Sequence, residues 1–152
     1  MKNSTQKLNR IAATSIFAAI AYLSMFLTPF RVVFLAFVIK DAVMTIGALY
    51  LGPLAGPAMS AVTSLLEMFT ISQTGIDGMI MNFVGSATYT VVASLIYTYR
   101  KSLKNAVLGL AAATLSMTAV MLAANLVITP GFKGVPLEAV VAMIPTLLLP
   151  FN

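Results

Sequence analysis

The chain has no cysteine, no histidine and no tryptophan, and only four acidic residues among its 152. Without cysteine there are no disulfides and no thiolate metal ligands. Without histidine as well, the donor set argues against a zinc or iron centre. No Ser–His or Cys–His pair can be assembled, so nucleophilic catalysis has no visible machinery. No Walker A run is present, so the chain does not hydrolyse ATP by itself. Charge is also scarce: 9% of residues are charged, against roughly a quarter in soluble domains.

What is present is hydrophobic. Apolar residues make up 60% of the chain, and its mean hydropathy is +0.99. A spanning helix needs about 20 mostly apolar residues, so five to six spans fit with little left over. The expectation is an all-α integral membrane protein, a single membrane domain over 1–152. Lys2, Lys7 and Arg10 precede the apolar run Ile11–Leu27, and Ala19-Ile20-Ala21 has the form of a signal-peptidase site. The run continues to Thr28-Pro29 and further spans follow, which favours an uncleaved first helix.

The pattern predicts helices over 11–28, 41–51, 55–71, 77–99 and 105–128. Asp41 is placed as the N-cap of the second, which is too short to cross unless 32–40 contribute. Gly52-Pro53-Leu54-Ala55-Gly56-Pro57 reads as a turn rather than a helix-pairing motif. Thr129-Pro130-Gly131 ends the fifth helix, and a last apolar segment starts near Leu137. The sequence then stops at Leu149-Pro150-Phe151-Asn152, so the expectation is five helices plus the start of a truncated sixth.

Charge sets an orientation. Lys2, Lys7, Arg10, Arg100, Lys101 and Lys104 fall on one face of this topology, against Arg31, Lys40 and Lys133 on the other. The positive-inside rule puts the N-terminus in the cytoplasm of a plasma membrane. The net +5 then faces anionic lipid, not nucleic acid.

All four acids fall toward the outer face. Lys40 and Asp41 open one short apolar hairpin and Glu67 closes it. Ionisable groups in lipid are costly, so they are paired, snorkelling or facing a cavity. Asn82 on the fourth helix and Asn125 on the fifth lie toward the same outer end. Lys40, Asp41, Glu67, Asn82 and Asn125 are therefore candidate ligand contacts. The Ser and Thr residues on these faces read as ordinary interhelical hydrogen bonding. The first helix carries Ser15, Ala18 and Ala19 on a smooth face, suited to close approach by its own neighbours or by a partner membrane protein.

A family resemblance rests on several runs in order. These are Asp41-x(5)-Gly47-Ala48-Leu49 with Leu51-Gly52-Pro53-Leu54-Ala55-Gly56, Ser64-Leu65-Leu66-Glu67, and Gly75 with Met81-Asn82-Phe83. Ala93-x-x-Ile96-Tyr97, Met117-Thr118-x(6)-Asn125, Pro130 and the terminal Pro150-Phe151-Asn152 follow. The chain resembles the S components, the substrate-binding membrane subunits, of energy-coupling factor (ECF) vitamin transporters, most of all the riboflavin-specific branch. The resemblance implies a six-helix bundle and a vitamin site near the outer face, with residues 29–40 as its lid. It implies a transmembrane coupling protein and two cytoplasmic ATPases as partners, and makes Ser15, Ala18 and Ala19 a docking face. It adds Asn152 to Asn125 as a flavin contact.

The residue chemistry suits a flavin. Asparagine amides donate and accept, as a pyrimidine edge requires. Lys40, Asp41 and Glu67 can serve ribityl hydroxyls, and Phe37, Phe69, Phe83 or Tyr89 can stack on the ring. The reading is a non-enzymatic subunit with no cofactor, riboflavin being its transported ligand. Pyridoxine or another small vitamin, a non-binding structural subunit, and an ion-coupled carrier using Glu67 are the alternatives.

Overall fold

The computed structural model of the chain describes residues 2–26, 39–71, 75–134, 136, 138, 141 and 142. They form five helices: α1 (Lys2–Ser24), α2 (Ile39–Leu51), α3 (Ala55–Thr70), α4 (Gly75–Tyr99) and α5 (Leu103–Lys133). This is an all-α membrane fold. Helices α4 and α5 are each long and apolar enough to cross a bilayer. With 13 and 16 residues, α2 and α3 are about 20 and 24 Å long. They form a hairpin shorter than the roughly 30 Å hydrocarbon layer.

Several boundaries differ from the sequence pattern, among them the end of α1, at Ser24 instead of 28. Helix α1 begins at Lys2 instead of near residue 11, because Lys, Gln, Leu and Arg are good helix formers whether or not they are apolar. Helix α2 begins at Ile39, so Asp41 lies in its first turn instead of capping it. Helix α5 runs through Pro130 and ends at Lys133, with Gly134 left-handed at its C-cap. An interior proline removes one donor and bends a helix, and membrane helices tolerate this.

The turn at residues 52–54 is as expected. Gly52 has φ of 100°, and its N–H donates to the Ala48 carbonyl at 2.8 Å, a left-handed helix stop that favours glycine. Arg10 secures it from α1, its guanidinium donating to the Leu51 carbonyl. A cation there also suits the negative end of the α2 dipole. Gly56, by contrast, belongs to α3. It is buried against α4, where a Cβ would run into Thr90.

Helices α1, α2 and α3 meet on a core of Ala18, Ala21, Met44, Ala48, Ala55 and Met59. Alanines bring the backbones close, and the two flexible methionines fill what remains. Helix α4 packs on α2 and α3, and α5 packs chiefly on α4. Gly109 permits that last contact, since a Cβ there would lie 2.8 Å from the Ala93 carbonyl oxygen.

The hydroxyl groups are less of an interhelical glue than expected. Thr45, Ser60, Thr63, Thr90 and Ser94 each donate to the carbonyl four residues back in their own helix. That carbonyl is always within reach of a helical Ser or Thr. Each hydroxyl therefore enters the apolar seam with its donor already satisfied.

Candidate ligand-binding site

Most of the described basic residues lie at one end, with Lys40 and Lys133 the exceptions. Lys7 and Arg10 lie near the α2–α3 turn, and Arg100, Lys101 and Lys104 near the α4–α5 connection. The Arg10–Leu51, Gly56–Thr90 and Gly109–Ala93 approaches place these regions at one end of the bundle. Asp41, Glu67 and Asp77 lie toward the other.

At that second end, the α2–α3–α4 seam holds a polar cluster. The Lys40 Nζ lies 3.1 Å from Glu67 Oε2, with 3% and 15% of the two side chains exposed. The next residue, Asp41, turns toward α4 instead. Its Oδ1 accepts the Ser86 hydroxyl at 2.6 Å. Adjacent residues on α2 point about 100° apart, which lets Lys40 address α3 while Asp41 addresses α4. Both contacts tie short α2 to its neighbours. They also satisfy charges that would otherwise be costly at this depth. One turn back from Glu67 on α3, Ser64 Oγ is buried with no hydrogen-bond partner among the described residues.

Asn82 lies one turn beyond Ser86 toward the end of α4 and is half-buried. The Gly85 backbone faces Met121 on α5. In this antiparallel register, Asn82 is level with the region of Asn125. Asn125 is buried, and its Nδ2 donates to the Met121 carbonyl at 2.8 Å.

The family model for the substrate-specific component of ECF transporters matches residues 9–152. The chain belongs to this family. A solved structure of the S component of a bacterial ECF transporter is similar in fold, with a TM-score of 0.74. The sequences are 27% identical, and the match covers 91% of this chain and 84% of that one. No curated protein is detectably similar in sequence. An S component is the substrate-specific membrane subunit of a transporter and not a kind of enzyme. Membership implies association with the membrane and ATPase subunits of an ECF module.

In this S component the structure pairs Lys40 with Glu67 across α2 and α3, and holds Asp41, the next residue on α2, separately against Ser86 on α4. Asn82 and Asn125 share their end of the bundle. Asn152 and most of the expected lid, with Phe37, lie outside the described residues. Among the expected stacking rings, Phe69 is 75% exposed and so faces away from the seam, Phe83 is at the margin of exposure, and Tyr89 is half-buried. Ser15, Ala18 and Ala19 line an elongated groove of about 590 Å³ between α1 and α3. Ala18 is its floor, buried in the core, while Ser15 and Ala19 are exposed on its wall.

Two residues carry contacts that the sequence pattern alone does not assign, Ser86 in the site and Arg10 at the opposite end of the hairpin. Ser86 lies one helical turn from Asn82, and that spacing is the signal the sequence offers for it. In the sequence Arg10 reads only as a topology charge. Nothing in the sequence connects it to Leu51, which lies 41 positions away.

Proposed function

We propose that this S component captures riboflavin at the end of the bundle that carries Lys40, Asp41 and Glu67, and hands it to an ATP-driven module. One observation carries the reading. A Lys40–Glu67 ion pair and an Asp41–Ser86 hydrogen bond lie side by side, buried or half-buried, at one end of three helices in a chain of a substrate-specific family. Asn82 and Asn125, with Asn152 added by the family resemblance, offer amides to the pyrimidine edge of the ring. Lys40, Asp41, Glu67 and Ser86 offer partners to the ribityl hydroxyls.

The basic end lies in the cytoplasm, following the positive-inside rule. The vitamin therefore arrives at the outer end. A coupling protein docks along Ser15, Ala18 and Ala19, and two cytoplasmic ATPases drive release. The sequence carries no Walker A run, so ATP hydrolysis falls to those partner subunits.

Titration of purified protein with riboflavin, followed by flavin fluorescence, tests the reading. Saturable quenching at or below micromolar vitamin is expected. Undiminished fluorescence across that range rules riboflavin out. The same titration with pyridoxine, followed by calorimetry, examines the smaller vitamin.

The internal pairing of Lys40 with Glu67 favours a second reading. In it the charged cluster is a structural lock, and the vitamin touches only the asparagines. Substitutions at Lys40 that lower stability but leave affinity unchanged would establish that arrangement.

A further inference from the structure

The groove between α1 and α3 is apolar along most of its length and basic at one end. Lys7 and Arg10 stand at its head, and Ala55, Ala58, Val62 and Leu66 line its α3 wall. No acidic side chain lines it among the described residues. The two helices run side by side in the same direction, since Arg10 meets Leu51 at one end and Tyr22 donates to Thr70 at the other.

Length and charge together specify an occupant. From Ala55 to Leu66 the wall is about 16 Å long at the helical rise. That is close to one leaflet, half of a hydrocarbon layer about 30 Å thick. The cations are at the end where a lipid phosphate would sit, and the apolar floor extends to about the depth of one acyl chain. Arg10 is held there by its bond to the Leu51 carbonyl, which uses one of its five N–H groups. Planar guanidinium donors suit phosphate oxygens, and Lys7 adds a second positive charge beside them.

We propose that the α1–α3 groove is a binding site for one anionic phospholipid, its phosphate on Lys7 and Arg10 and one acyl chain along Ala18, Ala58 and Val62. The proposed orientation decides only which leaflet supplies the lipid. Riboflavin binding plays no part in it. A coupling protein docking on Ser15 and Ala19 would have to displace this lipid.

The full chain in mild detergent is incubated with equal amounts of phosphatidylglycerol and phosphatidylcholine carrying identical acyl chains. Bound lipid is counted by native mass spectrometry. One phosphatidylglycerol per chain is expected, preferred roughly tenfold over phosphatidylcholine. K7Q should reduce that preference and K7Q with R10Q should abolish it. Because Arg10 also caps α2, K7Q alone keeps the test independent of folding. A58F, which fills the groove, should release both lipids. Equal retention of the two lipids, an unchanged preference in K7Q, or retention in folded A58F would overturn the site. Displacement of the lipid by inorganic phosphate alone would identify a free-anion site and overturn the lipid assignment.

Discussion

Lys40 and Glu67 form a partly buried ion pair, with Nζ 3.1 Å from Oε2, across the seam of α2 and α3. The two residues are 27 positions apart and belong to the two arms of a hairpin too short to cross the bilayer. Their pairing closes the arms at the end opposite the Gly52 turn.

Removing one member should therefore cost more than removing both. Lys40→Met leaves the Glu67 carboxylate unpartnered, a loss of about 3 kcal/mol for a buried pair. Lys40→Met with Glu67→Leu replaces the pair by apolar packing and should recover most of that loss. Thermal unfolding in detergent reads both. Equal melting of the single and double variants would show that the pair does not couple the arms.

Ser86 should matter through Asp41. Ser86→Ala removes a hydrogen bond to a charged carboxylate, worth about 1.5–3 kcal/mol. Ser86→Thr keeps the hydroxyl and should retain most of the stability. If Asp41 also contacts ligand, the alanine variant should show weaker riboflavin quenching even when folded at the assay temperature.

Asn125 separates a ligand contact from a structural one. Its Nδ2 donates to the Met121 carbonyl in its own helix, a carbonyl whose place in the helical ladder does not depend on that bond, so Asn125→Leu should leave α5 formed. The expected result is native helicity by circular dichroism with riboflavin affinity lowered at least tenfold, about 1.4 kcal/mol. Unchanged affinity would remove Asn125 from the site.

The cluster should also discriminate by charge. Lys40 contributes one formal positive charge, and Asp41 and Glu67 each contribute a negative one, so the group carries a formal excess of one negative charge. A phosphate on the ribityl chain would meet that excess in a poorly screened position. Riboflavin should bind at least tenfold more tightly than its 5′-phosphate. Competition between the two for fluorescence quenching measures the ratio.

Gly56 should tolerate no side chain. A Cβ there would overlap the Thr90 hydroxyl and crowd its Cβ, so Gly56→Ala should destabilise the α3–α4 contact by about 1–3 kcal/mol. Thr90→Ala in the same chain removes the hydroxyl and should restore part of the loss. Unfolding temperatures of the three variants check the coupling.

The sequence by itself determined the class of this protein. Hydropathy requires helices in lipid, because every backbone group there must be paired internally. The Gly52 turn was legible because a left-handed stop between apolar runs leaves a Gly/Pro signature. Family membership was legible in short runs such as Leu51–Gly56 and Met81-Asn82-Phe83. Tertiary structure alone decided who partners whom. Sequence could place Lys40, Glu67, Asp41 and Ser86 near one end, but not pair them, because helix rotation and register set which side chains meet. The same holds for Arg10 at Leu51 and for Gly56 against Thr90. The hydroxyls show the converse. A Ser or Thr in a helix looks available to a neighbour, yet the carbonyl four residues back is nearer, and most of them bond there.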